Sequence, residues 1–103
     1  MTNEQALELA SLNLEKFKKR MKIFGTSEDE SLTEILAASF LRLDSLINPV
    51  KPESDLTFIE LVFERSRYSY NDSLEFFETN FQPDILAQSL KYAEVFNDDT
   101  PKL

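Results

Sequence analysis

From Thr57 to Phe81 the sequence TFIELVFERSRYSYNDSLEFFETNF keeps up a helical alternation longer than any other in the chain, and it is also the richest in aromatics. Wound as a helix, it buries Ile59, Val62, Phe63, Tyr70, Leu74 and Phe77 on one side. Glu60, Glu64, Arg67, Asn71, Glu75 and Glu78 form a polar stripe on the other. The faces stay in register throughout, which predicts one long central helix against which everything else packs.

Two charges on this segment lack local mates. Arg67 has Glu64 one turn back, but Arg65 meets only Leu61, Val62, Tyr68 and Ser69 at helical spacing. Asp72, on the same flank, meets Tyr68, Ser69, Glu75 and Phe76. Two readings are open: solvation or pairing to another helix of the same chain, or packing of this flank against a copy or partner, since interfaces favour Arg and Tyr anchors.

The chain has 103 residues, enough for one domain with its own core and too few for two. It contains neither Cys nor His, which removes structural zinc, thiol catalysis, imidazole acid-base chemistry and the usual nucleophilic triads. Di-iron helix bundles also want His, so an enzyme is not expected, nor is any cofactor or metal. Net charge is -8, which argues against holding nucleic acid through its phosphates, although acidic walls suit a protein past which DNA must slide. No apolar run approaches the roughly 20 residues of a membrane span, and MTNEQALELA carries acid where a signal peptide carries base. The expectation is a soluble protein that stays inside the cell and binds no membrane. One Gly and four Pro in the whole chain point to an all-helical fold, because hairpins consume more turn residues.

In chain order, Thr2 and Gln5 read as a capping box opening a first helix. Its apolar seam is Leu7, Ala10, Leu14, Phe17, Met21 and Phe24. Lys16, Lys18, Lys19, Arg20 and Lys22 crowd its last turns, and Gly25 suits the left-handed stop. This cationic group is either a dipole-matched helix end or a docking patch for an acidic surface. Ser27 with Glu30, or Ser31 with Glu34, opens a second helix whose face is Leu32, Leu36, Phe40, Leu43 and Ile47, widened by Ile35, Ser39 and Leu46. The neighbouring acidic triplet lacks the glycine and alternating oxygens of a calcium loop. Asn48 to Asp55, with two prolines, is a loop, after which Ser54 or Asp55 caps the central helix. Pro83 opens a last helix with Ile85, Leu86, Leu90, Ala93 and Phe96 (or Tyr92) inward. The expected architecture is a four-helix domain over residues 1–97, followed by a short flexible acidic tail, 98–103.

The segment Phe63-Glu64-Arg65-Ser66-Arg67-Tyr68-Ser69-Tyr70-Asn71-Asp72, with Leu74-Glu75-Phe76-Phe77, Asn80-Phe81 and Ile85 after it, resembles the C-terminal half of small head-tail connector proteins of tailed bacteriophages. These are also called head-completion or adaptor proteins. The resemblance spans residues 28–96 and is specific only over 63–85. It implies an all-helical protomer of the virion's head-tail junction, present in host cytoplasm during assembly. Such proteins form a ring, commonly twelve-fold, under the portal protein, extend the DNA channel without sequence-specific binding, and offer a docking site to a stopper or tail component. On that reading Arg65, Arg67, Tyr68, Tyr70, Asn71 and Asp72 supply a subunit contact. Lys16, Lys19 and Arg20, with Asp98 and Asp99 of the tail, supply partner contacts. The competing reading is a small acidic inhibitor or adaptor that mimics DNA toward a basic protein surface, with Glu60, Glu64, Glu75 and Glu78 as its carboxylate row.

Overall fold

The computed structural model describes residues 1–98, with side chains through Ala93. Helix α1, Asn3–Met21, starts at the expected capping box: Gln5 N–H donates to Thr2 Oγ1 (3.1 Å) and Thr2 N–H to Gln5 Oε1 (2.8 Å). Its stop is Lys22, not Gly25. Lys22 adopts φ 58° while its N–H reaches Lys19 O (3.2 Å) and the Ile23 N–H reaches Lys18 O (2.9 Å), a paired closure of the last turn. Gly25 lies three residues farther on, at φ 85°, inside the connecting turn.

Helix α2, Asp29–Ile47, forms without either expected capping box: Glu28 occupies the cap position, and Asp29 and Glu30 favour the first turn through the helix dipole. Asn48 ends it at φ 54°, with its N–H on Asp44 O (2.7 Å), and Pro49 then forbids continuation. After the loop, Asp55 caps α3, Leu56–Tyr70, by accepting from Phe58 N–H at 3.1 Å.

The long central helix does not exist. The Asn71-Asp72 pair has poor helix propensity and tolerates left-handed backbone. Asp72 takes φ 58°, its N–H meets Ser69 O (3.1 Å), and the Ser73 N–H meets Tyr68 O (2.8 Å). The chain reverses there, makes a 3-10 turn at Leu74–Phe76, a single-turn helix α4 at Phe77–Asn80, and then α5, Gln82–Asp98, with Pro83 in its first turn. The fold is all-α, with five helices rather than four and no strand among the described residues. No helix among them is long and apolar enough to cross a membrane. Helix α5 extends through Asp98, the first residue of the expected tail, and residues 99–103 lie outside the described residues.

Helix α2 is the element at the centre. Helices α1, α3 and α5 all pack on it, and Leu32, Leu36, Ala37, Ser39, Phe40, Leu43 and Ile47 are buried around more than one of its sides. Each large side chain so buried stabilises the fold by roughly 1.5–3 kcal/mol. Cross-helix pairs fix the directions: Lys18 meets Asp29 at the α1–α2 turn, and Glu28 meets Tyr70, so neighbours along the chain run antiparallel.

Both flanking helices bury only part of the expected faces. In α1 the expected Ala10 and Phe17 are buried and Leu14 and Met21 pack half-buried against the core, but Ala6, Asn13 and Lys18 are buried as well, while Leu7 and, beyond the helix, Phe24 face solvent. Small residues at the contact let α1 approach α2 closely, and the Asn13 amide is satisfied by Leu9 O at 2.8 Å. In α5 the inward residues are Ile85, Gln88 and Tyr92, whereas Leu86 and Leu90 remain 55% and 53% exposed and Ala93 also points out. The side chain of Phe96 lies outside the described residues. Along the 57–81 run, Val62, Phe63 and Phe77 are buried as expected, but Phe58, Leu61 and Ser66 replace Tyr70 and Leu74.

Candidate assembly surface

Arg65 lies on the buried flank of α3, beneath α2, in a place its sequence neighbours did not reveal. Its Nη1 donates to Ser39 Oγ at 3.2 Å. Ser39 and Ser66 Oγ stand 3.0 Å apart and Ser66 lies 2.8 Å from Val62 O. One proton order satisfies the set: Arg65 donates to Ser39, Ser39 to Ser66, and Ser66 to the Val62 carbonyl. These small hydroxyls sit fully buried where α2 and α3 meet. The Nε of Arg65 is buried with no partner among the described residues, and no described carboxylate lies within ion-pair distance. Burial pulls the guanidinium below its ordinary pKa, Glu78 opposes that, and the nearby Arg42 adds to the fall. Glu78 is already engaged, taking two bonds from Arg42 at 2.8 and 2.9 Å. The three groups therefore make an unbalanced junction of two cations and one anion, all of it charged near neutrality.

Arg67 and Arg20 both find a carboxylate within the protomer, sharing Glu64. Arg67 grips Glu64 with Nε (2.9 Å) and Nη2 (2.6 Å), and Arg20 bonds the other oxygen of the same carboxylate. Arg20 also lies over Phe63 and Arg67 over Tyr68, at 5.9 and 5.1 Å from the ring centroids. Glu64 and Glu78 are thus neutralised by arginines and Glu75 follows the chain reversal, so the acidic row that DNA mimicry requires is broken.

Tyr68, half-buried, is a packing hub within the protomer. Its ring meets Phe77 at 5.7 Å and Phe81 at 5.8 Å, both edge-on, while those two stack at 5.0 Å, and Asn80 Nδ2 donates to its hydroxyl at 3.1 Å. The reversal at Asp72 is what returns Phe77 and Phe81 to it. Tyr70, 37% exposed, donates to Glu28 at 3.0 Å, and that bond first, then burial and the carboxylate's charge, push its pKa up. Asn71 and Asp72 are exposed, and Asp72 serves as the helix stop.

The cationic run at the end of α1 splits in two. Lys18 is buried: its Nζ reaches Gly25 O at 2.5 Å and Asp29 Oδ1 at 2.7 Å, and the Asp29 bond leads the effects that raise its pKa. Lys16, Lys19 and Lys22 stay exposed, with no ion pair among the described residues. The side chain of Asp98 and all of Asp99 lie outside the described residues.

Sequence reasoning missed the Ser39–Ser66 contact, the Arg42–Glu78 pair and the outward Leu86 and Leu90. A small residue on each of two apolar faces was the available signal for the first; the others depend on how α4 and α5 return. No family model matches the sequence, and no curated protein or solved structure matches it either.

Proposed function

We propose that this chain is a structural assembly protein of a tailed-phage virion, a head-tail connector that joins copies of itself into a ring beneath the portal and presents a docking site for a stopper or tail component. The observation that carries the reading is Arg65, a half-buried guanidinium that, among the described residues, has no acceptor for its Nε and only a neutral hydroxyl as a bonded partner. A cation so placed is costly in a lone protomer, and a carboxylate brought by a neighbouring subunit would balance it. The motif over residues 63–85 supports the same reading. So do Leu86 and Leu90, which give α5 an apolar stripe facing away from its own core. Because α3 ends at Tyr70, this contact centres on the junction of Arg65, Arg42 and Glu78 and not on one flank running the length of 57–81.

Arg65→Glu tests the proposal. The variant should keep the circular dichroism of a helical monomer, yet fail to assemble with itself or with a portal ring in sizing and sedimentation runs. An oligomer distribution unchanged from the parent would remove Arg65 from the interface and leave the connector reading without its main support.

A further inference from the structure

The corner between α1 and α2 is braced more heavily than a connection needs, and its outermost side chain is Phe24, 90% exposed. Lys22 closes α1, Ile23 tucks partly inward, Gly25 takes φ 85°, and the buried Lys18 clamps Gly25 O and Asp29. The product is a rigid turn that presents a phenylalanine to water between Lys19 and Lys22 and Asp29. Of the acids in that turn, Asp29 is paired with Lys18, while Glu28 is bonded only by the neutral Tyr70 hydroxyl and keeps its charge. Lys22, two residues from Phe24 and in no ion pair among the described residues, is the charge closest to it in the chain.

The other end of α2 carries the complement. Between α1 and the 48–53 loop runs a groove of about 570 Å³, with Leu9, Leu12 and Val50 on its apolar side and Glu8, Asp44 and Glu53 around it. Leu12 and Val50 are 71% and 66% exposed. Asp44 is bonded to the Met1 ammonium at 3.1 Å, so Glu8 and Glu53 carry the excess negative charge.

We propose that the Lys22–Phe24 turn of one copy docks into this groove on the next copy, with Phe24 against Leu12 and Val50 and Lys19 and Lys22 facing Glu8 and Glu53. The contact rests on the self-assembly reading above and adds where copies touch. It is heterologous: knob and groove lie at opposite ends of α2, whose nineteen residues span roughly 28 Å, so each copy uses both and the contact propagates. A preorganised aromatic anchor with a charged rim is the arrangement that concentrates binding energy in few residues. The competing occupant, residues 99–103 of the same chain, carries one acid and one base, Asp99 and Lys102, and so lacks the paired cations of the Lys19–Lys22 turn.

The chain has no cysteine, so paired cysteines report the contact cleanly. To leave Phe24 and Val50 in place, Thr26→Cys protein is mixed with Pro52→Cys protein under mild oxidation, and disulfide-linked species are identified by mass. The mixed 26–52 dimer should exceed the share expected from random pairing several-fold, and lose that excess at high salt or when Phe24→Ala, or Lys19→Glu with Lys22→Glu, accompanies Thr26→Cys. A random distribution of dimers overturns the proposal, as does an excess that appears only in chains shortened after Asp98, which would give the groove to the terminal segment. If the mixed dimer forms in excess but Arg65→Glu leaves assembly unchanged, the Arg65 contact falls and this one stands. If Arg65→Glu abolishes assembly while pairing is random, the reverse holds.

Discussion

Tyr92 on α5 donates its hydroxyl hydrogen to the carboxylate of Asp55, the residue that caps α3. One side chain thereby holds the start of one helix and the side of another. Burial works to raise the Asp55 pKa, but the bonds from Tyr92 and Phe58 N–H, with the charge of Lys91, bring it below its ordinary value. The same bond, then burial and the Asp55 charge, push Tyr92 up to about 12.

The signs of these shifts set the pH profile. Tyr92, raised, contributes stability that is complete below the ordinary tyrosine range near 10 and is lost as pH climbs to about 12. Asp55, lowered, contributes stability present above the ordinary carboxylate range and lost as pH falls through its folded value. Tyr92→Phe should lower stability at neutral pH by about 1–2 kcal/mol and flatten the alkaline loss, as read by denaturant midpoints across pH. An alkaline profile identical to the parent's would mean the bond contributes nothing.

Asp72 stands at φ 58° and its side chain makes no hydrogen bond among the described residues, so only backbone tolerance matters there. Asp72→Gly should leave stability unchanged or raise it by up to about 1 kcal/mol, whereas Asp72→Val should lower it by about 1–2 kcal/mol. Thermal melts of the two variants check this. Equal effects would indicate that the reversal is not fixed at this residue.

The orientation of α5 separates adjacent leucine and isoleucine positions. Ile85→Ala removes a buried side chain and should cost about 2–4 kcal/mol, while Leu86→Ala should stay within about 0.5 kcal/mol. Urea titration of both variants decides it. Comparable losses would turn the helix back to the face read from its periodicity.

Arg65→Met tests what the guanidinium does to a single protomer. Its stem packs between α2 and α3 while its Nε goes unanswered. Methionine keeps the packing and removes the charge, so the monomer should be as stable as the parent or more so, within about 1 kcal/mol. A drop of more than about 2 kcal/mol in the unfolding midpoint analysis would show that the bond to Ser39 outweighs the burial of the charge.

Several features decided within a few residues were legible from sequence, although the stop at Gly25 and the capping boxes at Ser27 and Ser31 did not form. The Thr2–Gln5 box, the Asp55 cap, the stop at Pro49 and the start at Pro83 all depend on local backbone chemistry, and all are present. The break at Asp72 was not, because Phe77 is buried whether the chain continues straight or doubles back, so an apolar period cannot report the turn. The faces of α1 and α5 were only partly legible, because size, not hydrophobicity alone, decides what fits beside α2. The expected Ala10, Phe17 and Ile85 are buried, but Ala6 is buried and Leu7 is not, and Tyr92 gains a bond at Asp55 that Leu90 could not make. For Arg65 the lack of a mate on its own helix was readable. Its cover by Ser39 was not, since nothing near it in the chain names the helix it would meet.

Lys18 gives the molecule a built-in reporter. An amine held by a carbonyl and a carboxylate keeps its proton to higher pH and reacts slowly with acylating reagents, while Lys16, Lys19 and Lys22 stand open to them. Labelling at Lys18 would therefore mark the moment when the corner between the first two helices comes undone.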